Sequence, residues 1–184
     1  MIAKGLDFED VTLVGVINGD ASLNLPDFRS SERTFSLLNQ VAGRAGRGKK
    51  RGRVIIQGFN LNHDSIKRAR IHDYLGFYEE EMKVRKVLKY PPYYNLSILT
   101  ISGNNYDYVN GESTKIASYL RGNVSDASIL GPSNSFMPKI NNNYYMQITI
   151  KYKKSENLLK SLMYLNDKYK NDKKIRLEID LNPV

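Results

Sequence analysis

The chemistry this chain could perform is concentrated in one string, Gln40-Val41-Ala42-Gly43-Arg44-Ala45-Gly46-Arg47. Two arginines three apart on the last turn of a helix share a face, and small residues between them let that face come close to another surface. Guanidinium groups stay ionised and hold phosphate oxygens through forked, charge-assisted hydrogen bonds. Such a pair can neutralise charge that builds on a transferred phosphoryl group. The same residues also read as an exposed basic helix end, favoured by the negative end of the helix dipole. The overlapping run Gly43 to Lys49 fits the spacing of a phosphate-binding loop but has the wrong setting. Such a loop follows a strand and opens a helix, whereas this run closes one, and Lys50 stands where Ser or Thr would hold magnesium.

A second set of residues could hold nucleic acid. Tyr144, Tyr145 and Tyr152 lie near Lys139, Lys151, Lys153 and Lys154. Aromatic rings beside a basic groove can stack on the bases of a single strand. Tyrosine alternating along a strand is equally ordinary sheet packing. Of these residues, Lys139, Tyr144, Tyr145, Lys151, Lys153 and Lys154 are the DNA-contact candidates, with phosphates expected to matter more than bases.

Other chemistry has no support in the sequence. There is no cysteine and only two histidines, His63 and His72, so no metal site is expected, and thiol catalysis and iron–sulfur ligation are excluded. Asp64, Asp73 and Glu79 to Glu81 are not paired in an apolar setting and read as a solvated helix face. The 28 basic residues outnumber 19 acidic ones, a net charge of +9, which fits a polyanionic partner or lysines scattered over solvated helices. No apolar run approaches the roughly 18 residues of a membrane span. With charges in the first residues and no cysteine, the expected location is cytoplasmic.

The elements that must position these residues are read from periodicity. Val11 to Ile17 is a short apolar run, the pattern of a strand covered on both faces of a parallel sheet. Ser30 and Ser31 can cap a helix with apolar positions Phe35, Leu38, Ala42 and Ala45, ended by Gly46 and Gly48. A second strand is expected at 53–57. This strand–helix–strand piece is too short for a complete doubly wound domain, so the chain is expected to begin inside one. Residues 64–89 read as two helices, or one broken at Gly76. Tyrosines gather from Tyr90 onward, and Pro91-Pro92, which cannot continue a helix, marks a boundary. Beyond it come a strand (95–102), a helix (106–121), a short strand (127–130), a strand (144–152), a helix (155–169) and a strand (175–181). The order βαββαβ is that of a ferredoxin-like domain. The expected division is 1–62, an α/β piece; 63–91, a helical connector; and 92–184, an α+β domain.

Gln40 to Arg47 resembles motif VI of superfamily 2 helicases, and Lys4 to Phe8 with Val11 to Val14 resembles their motif V. Longer strings are more specific. Ser22 to Arg29, Ser31 to Phe35, His72 to Tyr74, Phe77 to Met82, Leu88 to Tyr93, Gly131-Pro132, Lys139 to Asn141 and Ile179 to Pro183 resemble the C-terminal third of the PriA family of replication-restart helicases. Glu9 departs from that family's usual proline. The resemblance implies the end of a second RecA-like helicase lobe followed by a ferredoxin-like domain similar to a ribosomal protein. It also implies an ATP-dependent DNA helicase that restarts stalled forks and assembles the primosome. Arg44 and Arg47 would face the nucleotide phosphates with help from Gln40, while Gly5 and Asp7 would couple nucleotide state to DNA. ATP, magnesium and zinc are implied for the full-length protein, and no cofactor for this chain, which alone is expected to be inactive. Implied partners are forked or single-stranded DNA, single-strand DNA-binding protein and other primosome proteins. The rival reading is a stand-alone nucleic-acid- or ribosome-binding module.

Overall fold

The computed structural model describes residues 11–45, 52–154 and 156–183. Gly5, Asp7 and Arg47, together with Gly46 and Gly48, lie outside the described residues. The fold is mixed, with helices and two sheets, and the chain divides into two compact units, 1–84 and 85–184.

In the first unit, β1 (Leu13–Val16) and β2 (Arg53–Ile56) pair in parallel, Leu13 against Arg53 through Val16 against Ile56. Between them runs α1 (Ser30–Ala42), and α2 (Asp64–Arg70) follows β2. Phe35 and Leu38 of α1 meet Ile66 and Ala69 of α2 and Phe77 in a small core, against which Val16, Leu23 and Ile56 pack. The Phe35 and Phe77 rings stack with centroids 4.3 Å apart. Among the described residues, the core packs on one face of the strands: Val16 and Ile56 turn toward it, while Leu13 and Ile55 are exposed. A continuous apolar run does not reveal which faces are covered; that depends on the helices present.

Two local features differ from expectation. Ser30 lies inside α1, and its hydroxyl donates to the Leu25 carbonyl at 2.9 Å. Asp27 organises the approach to the helix, accepting from the Arg29 amide at 2.9 Å. The break between the next two helices falls at Ile71 to Asp73, where His72 takes φ 54°, and not at Gly76. Gly76 sits in the first turn of α3 (Tyr74–Val87), where its amide donates to Asp73 Oδ1 at 2.9 Å. A side chain there would press on the Arg68–Asp73 pair.

The second unit follows the strand and helix order read from periodicity: β3 (Asn95–Gly103), α4 (Tyr106–Asn123), β4 (Ala127–Ile140), β5 (Asn143–Tyr152), α5 (Glu156–Tyr169) and β6 (Arg176–Leu181). Its antiparallel sheet has the order β4-β5-β3-β6. Alternation puts Leu99, Ile101, Met146, Ile148 and Ile150 on the face that meets Ile116 and Leu120 of α4 and Leu158, Leu162 and Leu165 of α5. β4 is far longer than a strand ending at Leu130. It continues past Pro132 and Pro138 because its register against β5 shifts between Leu130 and Ser133 and again between Asn134 and Lys139. Both prolines fall inside these irregularities, where no ladder amide is needed. Asn141 and Asn142, at φ 47° and 63°, make the two-residue turn into β5, a left-handed pair that asparagine tolerates.

The helices are joined by a buried polar link. Glu112 of α4 is 9% exposed and accepts from the Tyr169 hydroxyl of α5 and from Lys115 Nζ, each at 2.7 Å. The Lys115 ammonium, and against the cost of burial also the Tyr169 hydroxyl, hold the Glu112 carboxyl below its ordinary value. Burial, followed by the Glu112 contact, pushes the Tyr169 phenol up. A carboxyl with a depressed folded value contributes stability that is complete above its unfolded pKa, about 4.3, and is lost as pH falls through the folded value. Tyr169→Phe therefore costs about 1 to 3 kcal/mol at pH 7 in urea melts, because a buried acceptor loses its donor. That gap should narrow below about pH 4.

Candidate nucleic-acid interface

The basic candidates of the second unit separate into two places on β5. Tyr144 and Lys151 are seven residues apart, about 24 Å at roughly 3.4 Å per residue.

At one end, Lys89, Tyr94, Ser125, Asp126, Ser128, Lys151, Lys153 and Lys154 line an open cleft of about 480 Å³. Lys153 and Lys154 are exposed just past β5. The Lys153 ammonium lies 4.9 Å from the Tyr94 ring centroid, with that of Lys89 5.9 Å from the same ring. Lys89 Nζ also reaches the Ser128 hydroxyl at 3.5 Å. Tyr94 thus holds two lysines by cation–π attraction while their ammonium groups stay at the cleft. One carboxylate, Asp126, shares the cleft with four lysines.

Lys151 has a different role from its neighbours. It is 7% exposed, donates to the Leu88 carbonyl at 2.8 Å and lies 3.5 Å from the centroid of Tyr90. The end of α3 explains this contact. Lys89 takes the left-handed conformation, φ 57°, and the Tyr90 amide returns to the Arg85 carbonyl at 2.8 Å, closing the helix in a Schellman turn. Such an end leaves carbonyls without helical partners, and the Lys151 ammonium satisfies that of Leu88. Lys151 therefore shapes the cleft, and its charge is committed to the protein. Lys89 and Tyr94, which complete the cleft, were not among the residues selected from sequence. Lys89 falls in the Leu88 to Tyr93 string, which carries a resemblance but no chemistry of its own, and Tyr94 lies one residue beyond it.

At the other end, Lys139 and Tyr144 are register partners beside the Asn141-Asn142 turn. Lys139 Nζ donates to the Tyr144 hydroxyl at 3.1 Å and lies 4.7 Å from its ring centroid. Tyr106 meets Tyr144 edge-on at 5.5 Å. Tyr145 is the register partner of Ser102, and alternation turns it to the opposite face of the sheet from Tyr144. The two tyrosines are therefore not brought together.

In the first unit, Gln40 is exposed on the last turn of α1. The helix stops at Ala42 with Gly43 as its cap, so Arg44 lies half-buried in the turn that follows, its amide bonded to the Val41 carbonyl at 3.1 Å. Glycine costs about 1 kcal/mol in a helix interior, enough to end α1 before the arginine pair begins. Among the described residues, no group of His, Asp and Glu could hold a metal ion. No described helix is long and apolar enough to cross a membrane.

The family model for the primosomal protein N C-terminal domain matches residues 86–184. The chain belongs to this family. Its full length is 46% identical over 187 residues to a replication restart protein PriA of Bacillus subtilis (strain 168), covering 23% of that protein. It is 37% identical over 186 residues to the Synechocystis protein of the same name, covering 22%, and 38% identical over 189 residues to that of Borreliella burgdorferi, covering 28%. The chain thus spans about a quarter of the length of the curated relatives it matches. The segment matching the primosomal protein N C-terminal domain contains both lysine clusters.

The two kinds of lysine should separate by mutation. Lys151→Met leaves the Leu88 carbonyl without its donor and should lower stability in urea melts by about 1 to 3 kcal/mol. Lys153→Ala and Lys154→Ala, at exposed positions, should each stay within about 0.5 kcal/mol of the parent.

Proposed function

We propose that this chain is the C-terminal part of an ATP-dependent DNA helicase that restarts stalled replication forks and assembles the primosome. The observation that carries this reading is the match of the entire chain, at 46% identity, to a protein named for replication restart. In this reading, residues 1–62 form the end of a second RecA-like lobe, 63–91 a helical connector and 92–184 a ferredoxin-like domain. The sheet order β4-β5-β3-β6, with both helices packed on one face, supports the last assignment.

Within that enzyme, Arg44 and Arg47 neutralise the nucleotide phosphates with Gln40 beside them, and Gly5 and Asp7 couple the nucleotide to DNA. ATP with magnesium supplies the driving reaction when bound, and zinc belongs to another part of the full-length protein. The role proposed for this chain is charge neutralisation at Arg44 and Arg47. The Gly43 to Lys49 run has Lys50 where Ser or Thr would hold magnesium, and by itself this chain should release no phosphate from ATP. The cytoplasm is the compartment this work requires.

The cleft of Lys89, Lys153 and Lys154 is the proposed DNA contact of the C-terminal domain, made through phosphates. Single-strand DNA-binding protein and other primosome components are the proposed protein partners.

Two measurements test this reading. In the full-length protein, Arg44→Ala or Arg47→Ala should reduce DNA-stimulated ATP hydrolysis by about 10³ to 10⁵ while DNA binding survives, as expected for an arginine finger. Near-normal hydrolysis in both variants would leave these arginines with no part in phosphate chemistry. In fluorescence anisotropy with single-stranded DNA, three lysine contacts give a slope near −2 in log K against log salt, at about −0.7 per contact. Lys153→Glu with Lys154→Glu should flatten that slope. No binding at low salt would favour a protein-docking role for the domain.

A further inference from the structure

We propose that the bulged end of the β4–β5 hairpin, where Phe136 and Met137 stand beside Lys139, stacks on unpaired DNA bases. This inference rests on the DNA-binding reading above, to which it adds a site and a mode of contact. Phe136 is 63% exposed and Met137 57% exposed, large apolar side chains left in water. Both fall between the register pairs Asn134 with Met146 and Lys139 with Tyr144, where β4 departs from its partner, so the sheet ladder does not dictate their positions.

Three further observations favour a base as the occupant. No aspartate or glutamate occurs between Asp126 and Glu156, so the hairpin presents no carboxylate to repel a polyanion, and Lys139 stands at its turn. The Lys139 ammonium is held in place by the Tyr144 hydroxyl at 3.1 Å, three residues along the chain from Phe136. That lies within about 10 Å, a suitable reach for the phosphate next to a stacked base. Phe136 and Met137, with Ile140 at 37% exposure, are too small an apolar area for a protein interface, which needs roughly 800 Å² per partner. One ring and a flexible thioether are enough for one base, since every base has a π-face and need only be unpaired to present it.

The test uses the whole chain, a single-stranded oligothymidylate carrying one 2-aminopurine, and a duplex of the same length. Phe136→Ala should abolish the change in 2-aminopurine fluorescence. It should also weaken single-strand binding about tenfold at every salt concentration, leaving the salt slope and duplex binding unchanged. Phe136→Trp should bind like the parent and Phe136→Leu like the alanine variant. Parent-like single-strand binding by Phe136→Ala, with the salt slope still flattened in Lys153→Glu/Lys154→Glu, would overturn the stacking site and leave the DNA reading standing. Full binding by Phe136→Leu would overturn stacking in favour of a merely apolar contact. Absence of DNA binding by the parent chain would overturn both readings.

Discussion

The register of β5 is the constraint on which the second unit depends. This strand pairs on both sides, with β4 and with β3, and side chains alternate with a period of two. Met146, Ile148 and Ile150 therefore face the helices, and Tyr145, Gln147, Thr149 and Lys151 face away. A slip of one residue would place the lysine in the core and the isoleucines in water. The cost of that exchange fixes the pairing, and with it the position of every basic side chain beyond either end of the strand. Lys153 and Lys154 emerge beside the end of α3 because Ile150 must be buried. Lys139 meets Tyr144 because the Asn141-Asn142 turn returns the chain in the same register.

The two lysine groups show how similar residues acquire different roles from their neighbours. Lys151 is buried against an aromatic ring and a helix-end carbonyl, so its charge belongs to the architecture. Lys153, two residues further on, keeps its ammonium at an open cleft over Tyr94. Sequence spacing alone treats them alike.

Much of the second unit was legible in the sequence because its signals are strong. Alternation in Asn95 to Ser102 and Tyr144 to Tyr152 identifies strands, and helical spacing of apolar residues identifies α4 and α5. The full extent of β4 was not legible, since proline ordinarily ends a strand and only paired irregularities let one continue through Pro132 and Pro138. Phe136 was equally obscure: its exposure follows from a register shift that no local pattern encodes. The extension of α1 to Ala45 failed for a related reason, because apolar spacing persists across Gly43 although helical hydrogen bonding does not. The arginine string was conspicuous as chemistry, but its geometry required the turn after α1.

The construction of β4 also bears on how the molecule avoids associating with itself. A strand of 14 residues at the border of a sheet offers a long row of free amides and carbonyls to any similar strand. Here that row is interrupted twice by register shifts and twice by prolines that have no amide to offer, and it ends near a lysine. The opposite border, β6, is short and carries Arg176, Glu178 and Asp180 facing away from the core. Replacing Pro132 and Pro138 would restore two amides to this border and make it a better template for another strand.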